Sequence, residues 1–289
     1  MKTSDCLDRA YQDHLEYKNY SDRTIKSYCS SLRIFQKYIA ENFSHDSHEI
    51  VHVKQFLLTT KRNGHSWSTI NSHYSALKIY FEAICNDYWN LDHLPRPRKE
   101  KKLPKILSKQ DVANIINCAT GFRNFTLLGF LYGTGMRLAE VAAVKIEDID
   151  GKRLQVRVNQ GKGGKDRFVK IPSSLLEILR AYYKAIRPNI YLFVGVQNGK
   201  PIAHRTIQHI FLKARLRAGV TKPCSVHTLR HCYATHHLED GTDLVYLKDQ
   251  MGHESIKTTA KYIHLCANSR RQINHPIDSM ALSFPQTTH

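Results

Sequence analysis

The sequence predicts a mainly α protein with one small β hairpin, an α+β fold in two domains. Three observations predict it. Apolar residues recur every three or four positions over most of the chain, the period of a helix face that packs on a core. Two short segments, 154–158 and 167–171, alternate instead with period two on either side of a glycine-rich turn. Between residues 95 and 104 three prolines end the helical pattern and mark a linker.

Taken in order, Ser21 is a candidate N-cap, and Ile25, Tyr28, Leu32, Phe35 and Ile39 behind it form the stripe of a helix of about 20 residues. A shorter helix is expected over 50–60. A third stripe, Ile70, Tyr74, Leu77, Phe81, Ile84 and Tyr88, follows Trp67. Residues 1–94 therefore read as a small helical bundle whose tyrosines belong to core and rim. Residues 95–104 carry five basic residues beside the three prolines, an extended segment suited to crossing a DNA backbone or to serving as a solvated tether. The second domain, 105–289, opens on a capping box, Ser108-Lys109-Gln110-Asp111. Helices are expected over 122–132 and 137–144, then the hairpin, then helices over 173–187, 204–218, 227–240, 243–251 and 255–263, the fourth stopped by Gly252.

Composition bounds the function classes. A chain of 289 residues with 42% hydrophobic residues holds a sizeable core in each domain. No apolar run reaches the length of a membrane helix, and the first 18 residues lack a signal-peptide core, so a cytoplasmic protein is expected. Seven cysteines scatter without a paired framework, which suits reduced thiols. Net charge is +18, and all of it lies in the second part: residues 1–94 hold 11 basic and 11 acidic residues, residues 95–289 hold 32 and 14. That excess fits a polyanionic partner, because neutralising phosphates releases counterions; a solvated basic surface is the alternative.

Six polar residues then stand out: Arg137, Lys162, His227, Arg230, His253 and Tyr262. Arg137 ends Gly133-Thr134-Gly135-Met136-Arg137, Arg230 lies in His227-Thr228-Leu229-Arg230-His231, and Gly252-His253 precedes Tyr262. A bare His-x-x-Arg also occurs at His93-Leu94-Pro95-Arg96, in the proline-broken segment, so only the ordered set is specific. In that order and setting the residues resemble the tyrosine recombinase, or phage integrase, family, from about Lys105 to Tyr262 in the motifs and more loosely through the first third.

The chemistry suits the residue types. A tyrosine hydroxyl forms a phosphate ester that can be reversed, which keeps the bond energy for rejoining. Its pKa of about 10 calls for a base or a strongly positive site. A pentacoordinate phosphate gathers charge that two guanidiniums can hold, and Arg137 and Arg230 are the candidates. His227 and Arg230, three apart on a helix, share a face. Glu140, three after Arg137, is a candidate to orient it. His227 and His253 are candidates to donate to the phosphate, or His227 to accept the tyrosine proton. A 5′ oxygen leaves only when protonated, and the turn Gly161-Lys162-Gly163-Gly164-Lys165-Asp166 offers two lysines; the resemblance selects Lys162 as general acid over Lys165. The turn lacks the spacing of a nucleotide-binding loop. Cys224, His227, His231, Cys232, His236 and His237 crowd together, but without the matched pairs of a zinc site, so neither metal nor cofactor is expected.

The resemblance implies an N-terminal helical core-binding domain (1–94) and a C-terminal catalytic domain (105–289) that clamp double-stranded DNA. It also implies a 3′-phosphotyrosyl intermediate, a homotetramer acting on two DNA sites, and a tail from about 267 that docks on a neighbouring subunit; Ile277, Met280, Leu282 and Phe284 are the candidate anchors, a disordered terminus being the alternative. The rival classes are a type IB topoisomerase, which uses the same chemistry to relax DNA, a non-catalytic basic DNA-binding protein, and an interaction module stabilised by zinc between Cys224 and His237.

Overall fold

The structure is a computed structural model that describes residues 4–43, 50–85, 94–98, 105–159, 166–195 and 199–265. The chain divides into two compact units, Met1–Lys102 and Leu103–His289. Among the described residues the first unit consists of helices α1 (Ser4–Tyr17), α2 (Asp22–Asn42), α3 (Ile50–Arg62) and α4 (Trp67–Ala83). The expected cap is present: Ser21 Oγ accepts from the Thr24 amide at 3.3 Å, and Ser66 caps α4 in the same way. Ile25, Leu32, Phe35 and Ile39 of the α2 stripe are buried, as are Ile70, Tyr74, Leu77 and Phe81 of α4. Truncating any of these to alanine removes about 2–5 kcal/mol of packing.

Helix α1 was not anticipated from the sequence. Among the residues whose burial is described, its stripe is Tyr11 and Leu15, with Leu7 half-buried, among charged and polar neighbours. The Tyr11 hydroxyl donates to Ala76 O at 2.7 Å, and its ring meets Tyr80 edge-on at 5.7 Å, which seats α1 on α4. The linker also begins differently from expectation. Arg96 donates to Asn71 Oδ1 and Ser75 Oγ at 2.9 and 2.8 Å and stacks over Tyr74, while Trp67 Nε1 bonds Pro97 O. This part of the linker therefore packs on α4, where Arg96 engages its Nε and one terminal nitrogen. Tyr88 and residues 99–104 lie outside the described residues.

In the second unit α5 (Lys109–Asn117) starts on the expected capping box of Ser108 and Asp111. Helices α6 (Phe122–Thr134), α7 (Leu138–Ala143), α8 (Ser173–Ile186), α9 (His204–Arg217), α10 (Val226–Glu239), α11 (Leu244–Met251) and α12 (Ile256–Ala260) follow the expected spans closely. Two boundaries matter. Arg137 is the N-cap of α7 rather than its first helical residue, and α12 ends at Ala260, so Tyr262 sits on the turn behind it, not in a helix. The sheet has three antiparallel strands in the order β1 (Ile149–Asp150), β2 (Gln155–Val158) and β3 (Arg167–Lys170), one more than the hairpin alone. Strand β1 is two residues long, too short to leave a period.

Helices α6 and α10 form the centre. Phe130 and Leu131 of α6 and Leu229 and Cys232 of α10 belong to one core with Phe193, Ile207 and Phe211. Helix α10 is buried on nearly every side although its sequence is polar, and Arg230, His231, Cys232, His236 and His237 each have a hydrogen-bond partner. His236 Nε2 donates to Leu107 O at 3.0 Å, so its Nδ1 accepts from the Tyr132 hydroxyl at 2.9 Å. The Leu107 amide donates to Cys232 Sγ at 3.3 Å. These bonds fix the segment entering the unit against the middle of α10.

Gly135 ends α6 in the left-handed region at φ 58°, and a Cβ there would lie 2.3 Å from the Tyr233 ring. Gly135→Ala is expected to destabilise this unit by about 3 kcal/mol, combining overpacking with left-handed strain. Calorimetry should show a transition several degrees lower.

Candidate active site

The site is organised by the C-terminal end of α11. A helix leaves its last carbonyls without intrahelical donors, and here three in succession receive arginines from three other elements. Gln250 O accepts from Arg167 Nε of β3 at 3.4 Å, Met251 O from an Arg230 Nη of α10 at 2.7 Å, and Gly252 O from an Arg137 Nη at 2.8 Å. The carbonyl end of a helix favours cations, so the arrangement is electrostatically matched. Gly252 makes it sterically possible. It adopts the left-handed conformation at φ 62°, and a Cβ would strike the Arg167 guanidinium at 2.7 Å.

The same cap places His253. The Gly252 amide bonds Asp249 O and the His253 amide bonds Lys248 O, the paired bonds of a Schellman turn. His253 Nδ1 is 2.8 Å from Thr259 Oγ1 and Nε2 is 3.0 Å from an Arg230 Nη. Arginine only donates, so Nε2 is the acceptor and the proton is on Nδ1. Burial, then the field of Arg230 and Arg137, pulls the His253 pKa down to about 4, which keeps this neutral tautomer through physiological pH. The expectation of His253 as a phosphate donor requires that bond to be exchanged.

Arg230 is 9% exposed. Its other terminal nitrogen donates to Gly135 O at 2.5 Å, so the Gly-Thr-Gly turn and the α11 cap grip it from two sides. Burial, then Arg137, lowers its pKa to about 10, and it remains cationic at neutral pH. Arg137 is more open, with 29% of its side chain exposed. Glu140 accepts from the Arg137 amide at 2.7 Å and from its guanidinium at 2.8 Å, as expected of an orienting partner, and it also takes both terminal nitrogens of Arg167 at 2.9 and 2.7 Å. Burial would raise the Glu140 pKa; hydrogen bonds from Arg167 and Arg137 outweigh it and bring the pKa down to about 2. Arg167 was expected only as a strand residue, yet it bridges β3 to the site. The Lys170 amide of the same strand bonds Gln250 Oε1 at 2.7 Å, so the hairpin base is fastened to α11.

Tyr262 is 6% exposed, packed with Tyr233, Ala234, Leu247 and Met251. Its hydroxyl is 2.9 Å from His231 Nδ1, and its ring lies parallel to His253 with centroids 6.4 Å apart. Burial raises its pKa, with Arg230 and Arg137 opposing. His227, by contrast, is exposed one turn from Arg230. Lys162 and Lys165 lie outside the described residues. Four of the six expected residues, Arg137, Arg230, His253 and Tyr262, thus come together, with His227 one turn away on α10, and His231, Arg167 and Thr259 join them. His231 was visible in the sequence only as a zinc candidate four residues after His227. The crowd of histidines and cysteines is dispersed: His231 turns to Tyr262, Cys232 and His236 to Leu107, His237 to Thr242. Among the described residues no three metal-ligating side chains come together.

Arg230 matters here as a planar fork between fixed carbonyls. Arg230→Lys retains the charge and loses the fork, and the rate of strand cleavage should fall about 100-fold or more while affinity for DNA changes little. Single-turnover cleavage and filter binding on the same duplex would check this.

Two arginines and a tyrosine hydroxyl within their field are the residue types that phosphoryl transfer through a tyrosine calls for. Comparison with known proteins agrees. Residues 105–269 match the phage integrase family and residues 7–91 its N-terminal SAM-like domain. Tyrosine recombinase XerA of Pyrococcus horikoshii is 31% identical over 272 residues, covering 93% of this chain and 92% of that protein. Tyrosine recombinase XerD of Staphylococcus aureus is 31% identical over 276 residues, covering 89% and 92%. The fold is also that of a lambda integrase fragment solved as a dimer bound to a COC' core site, at TM-score 0.72 and 19% identity over 89% of this chain and 97% of that one. The same integrase has been solved as a tetramer bound to a Holliday junction, at TM-score 0.72 and 19% identity over 89% of this chain and 76% of that one. The chain belongs to the phage integrase family and is a tyrosine-type recombinase. No helix among the described residues is long and apolar enough to cross a membrane.

Proposed function

We propose that this chain cuts and rejoins double-stranded DNA at specific sites through a 3′-phosphotyrosyl intermediate carried by Tyr262. The observation that carries the reading is the gathering of Arg137 and Arg230 on the α11 end, with the Tyr262 hydroxyl within their field. Arg137 and Arg230 hold the non-bridging oxygens of the scissile phosphate. Tyr262 attacks phosphorus, the bond to the 5′ oxygen breaks, and Lys162, which falls between β2 and β3 in the sequence, supplies the proton to that oxygen. His227, exposed beside Arg230, donates to the phosphate, and His253 braces Arg230 from behind. The incoming 5′ hydroxyl of a partner strand reverses the step. The segment 105–289 is the catalytic domain, and residues 1–94, neutral overall, complete the clamp on the duplex. Four copies on two sites are the working assembly, in keeping with the lambda integrase tetramer on a junction.

The test is covalent trapping in excess chelator on a randomised library of nicked duplexes, followed by digestion and mass spectrometry of the attached nucleotide. Attachment on the peptide spanning residues 262–270 is the expected result. Attachment at another residue, or none, would overturn the assignment.

A further inference from the structure

We propose that His231 is the proton acceptor for Tyr262, a role that sequence order alone offered to His227. The inference rests on the strand-transfer reading above and deepens it. The geometry is direct: His231 Nδ1 lies 2.9 Å from the Tyr262 hydroxyl, within reach for proton transfer without an intervening group. The other ring against Tyr262, His253, has its two nitrogens engaged with Arg230 and Thr259, and its Nε2 lone pair already accepts from the guanidinium. His227 is on the exposed side of α10.

His231 also has a route by which to lose the proton. It lines an open surface cavity of about 350 Å³ together with Lys105, Cys224, Ser225 and Thr228. His231 therefore touches both the buried nucleophile and the open cavity. The groups facing it are His227 and Arg230 on its own helix, Tyr262 behind α12, and Lys105 and Cys224 at the cavity. Burial, then His227 and Arg230, lowers its pKa below the ordinary histidine value, so it is the neutral base at pH 7. A phosphodiester seated between Arg137 and Arg230 brings negative charge beside the ring, which favours the imidazolium as the proton arrives.

The step balances. As the Tyr262 oxygen bonds to phosphorus, its proton passes to His231 Nδ1 and the bond to the 5′ oxygen breaks, that oxygen taking its proton from the general acid. The imidazolium either releases a proton to solvent through the cavity or keeps it. In the rejoining direction a protonated His231 returns the proton to the departing tyrosine oxygen.

The experiment is single-turnover formation of the covalent complex by the full-length protein on the pooled nicked-duplex library, with wild type, His231→Ala, His231→Gln and Tyr262→Phe compared across pH 5 to 9. His231→Ala should be slowed about 100-fold, and 100 mM imidazole should restore at least about tenfold, because the cavity admits it to the vacated position. In wild type the rate should fall as pH drops through the His231 pKa, and that limb should vanish in both variants. His231→Gln, which keeps a hydrogen-bond acceptor but cannot carry the proton, should be as slow as His231→Ala with a near-normal melting temperature. Wild-type rates in His231→Gln, or a slow His231→Ala that imidazole leaves unchanged with the wild-type pH limb intact, would overturn the proposal. Attachment by Tyr262→Phe, or none by wild type, would instead sink the strand-transfer reading and this inference with it.

Discussion

Tyr262→Phe protein is expected to bind DNA as tightly as wild type and to leave none attached after denaturation, a loss of at least about 10⁴-fold in covalent product. The substitution removes one oxygen. The ring that fills the cluster of Tyr233, Ala234, Leu247 and Met251 is retained, so the core volume is unchanged. The hydroxyl's bond to His231 is lost, at a cost of about 1 kcal/mol. Affinity comes from phosphate contacts elsewhere on a chain whose basic excess lies after residue 94, and the slope of log affinity against log salt should be the same for both proteins. Gel-shift titrations at two salt concentrations beside a denaturing gel separate the two readouts. Residual attachment in the phenylalanine protein would mean that another side chain is the nucleophile.

Glu140→Gln is expected to damage stability and catalysis together. The carboxylate is the shared counter-charge of Arg137 and Arg167, accepting four hydrogen bonds, and a glutamine would turn an N–H donor toward a guanidinium. Breaking one side of a buried ionic cluster costs about 3–5 kcal/mol, and an unbraced Arg137 should slow cleavage about 100-fold or more. The pH dependence follows from its pKa, about 2 in the folded protein against 4.5 ordinarily. A carboxylate with a depressed folded pKa contributes stability that is fully present above its unfolded pKa and is lost as pH falls toward the folded one. The gap in melting temperature between wild type and Glu140→Gln should therefore be constant from pH 7 to 5 and narrow as pH is lowered toward 3. A gap independent of pH over that range would place the stabilising charge elsewhere.

Much of this was legible in the sequence for reasons that differ residue by residue. The stripes of α2 and α4 follow from period alone, since each packs one face on a core. Arg137, Arg230, His253 and Tyr262 stand out in the sequence because they occur in ordered settings, two of them framed by glycines, and the structure brings these four side chains together. Arg167 and His231 do not stand out. Arg167 occupies an ordinary place in a strand, and its function depends on Glu140 and Gln250, 27 and 83 residues away. His231 reads as surplus until α10 proves to be buried on nearly every side, which its polar sequence conceals. Likewise α1 hides its Tyr11 and Leu15 among charges, and Tyr262 falls outside α12 because the helix stops at Ala260.

The three carbonyls at the end of α11 have one more implication. Donors already occupied by immovable backbone oxygens are pre-aimed, yet each has part of its charge answered before any phosphate arrives. In the strand-transfer reading proposed above, such a cradle would steady the crowded phosphorus without becoming a sink for the covalent intermediate. A reaction whose two directions make and break the same kinds of bond needs that moderation: the cut strand stays attached long enough to meet a new end, and not so firmly that it cannot be given up.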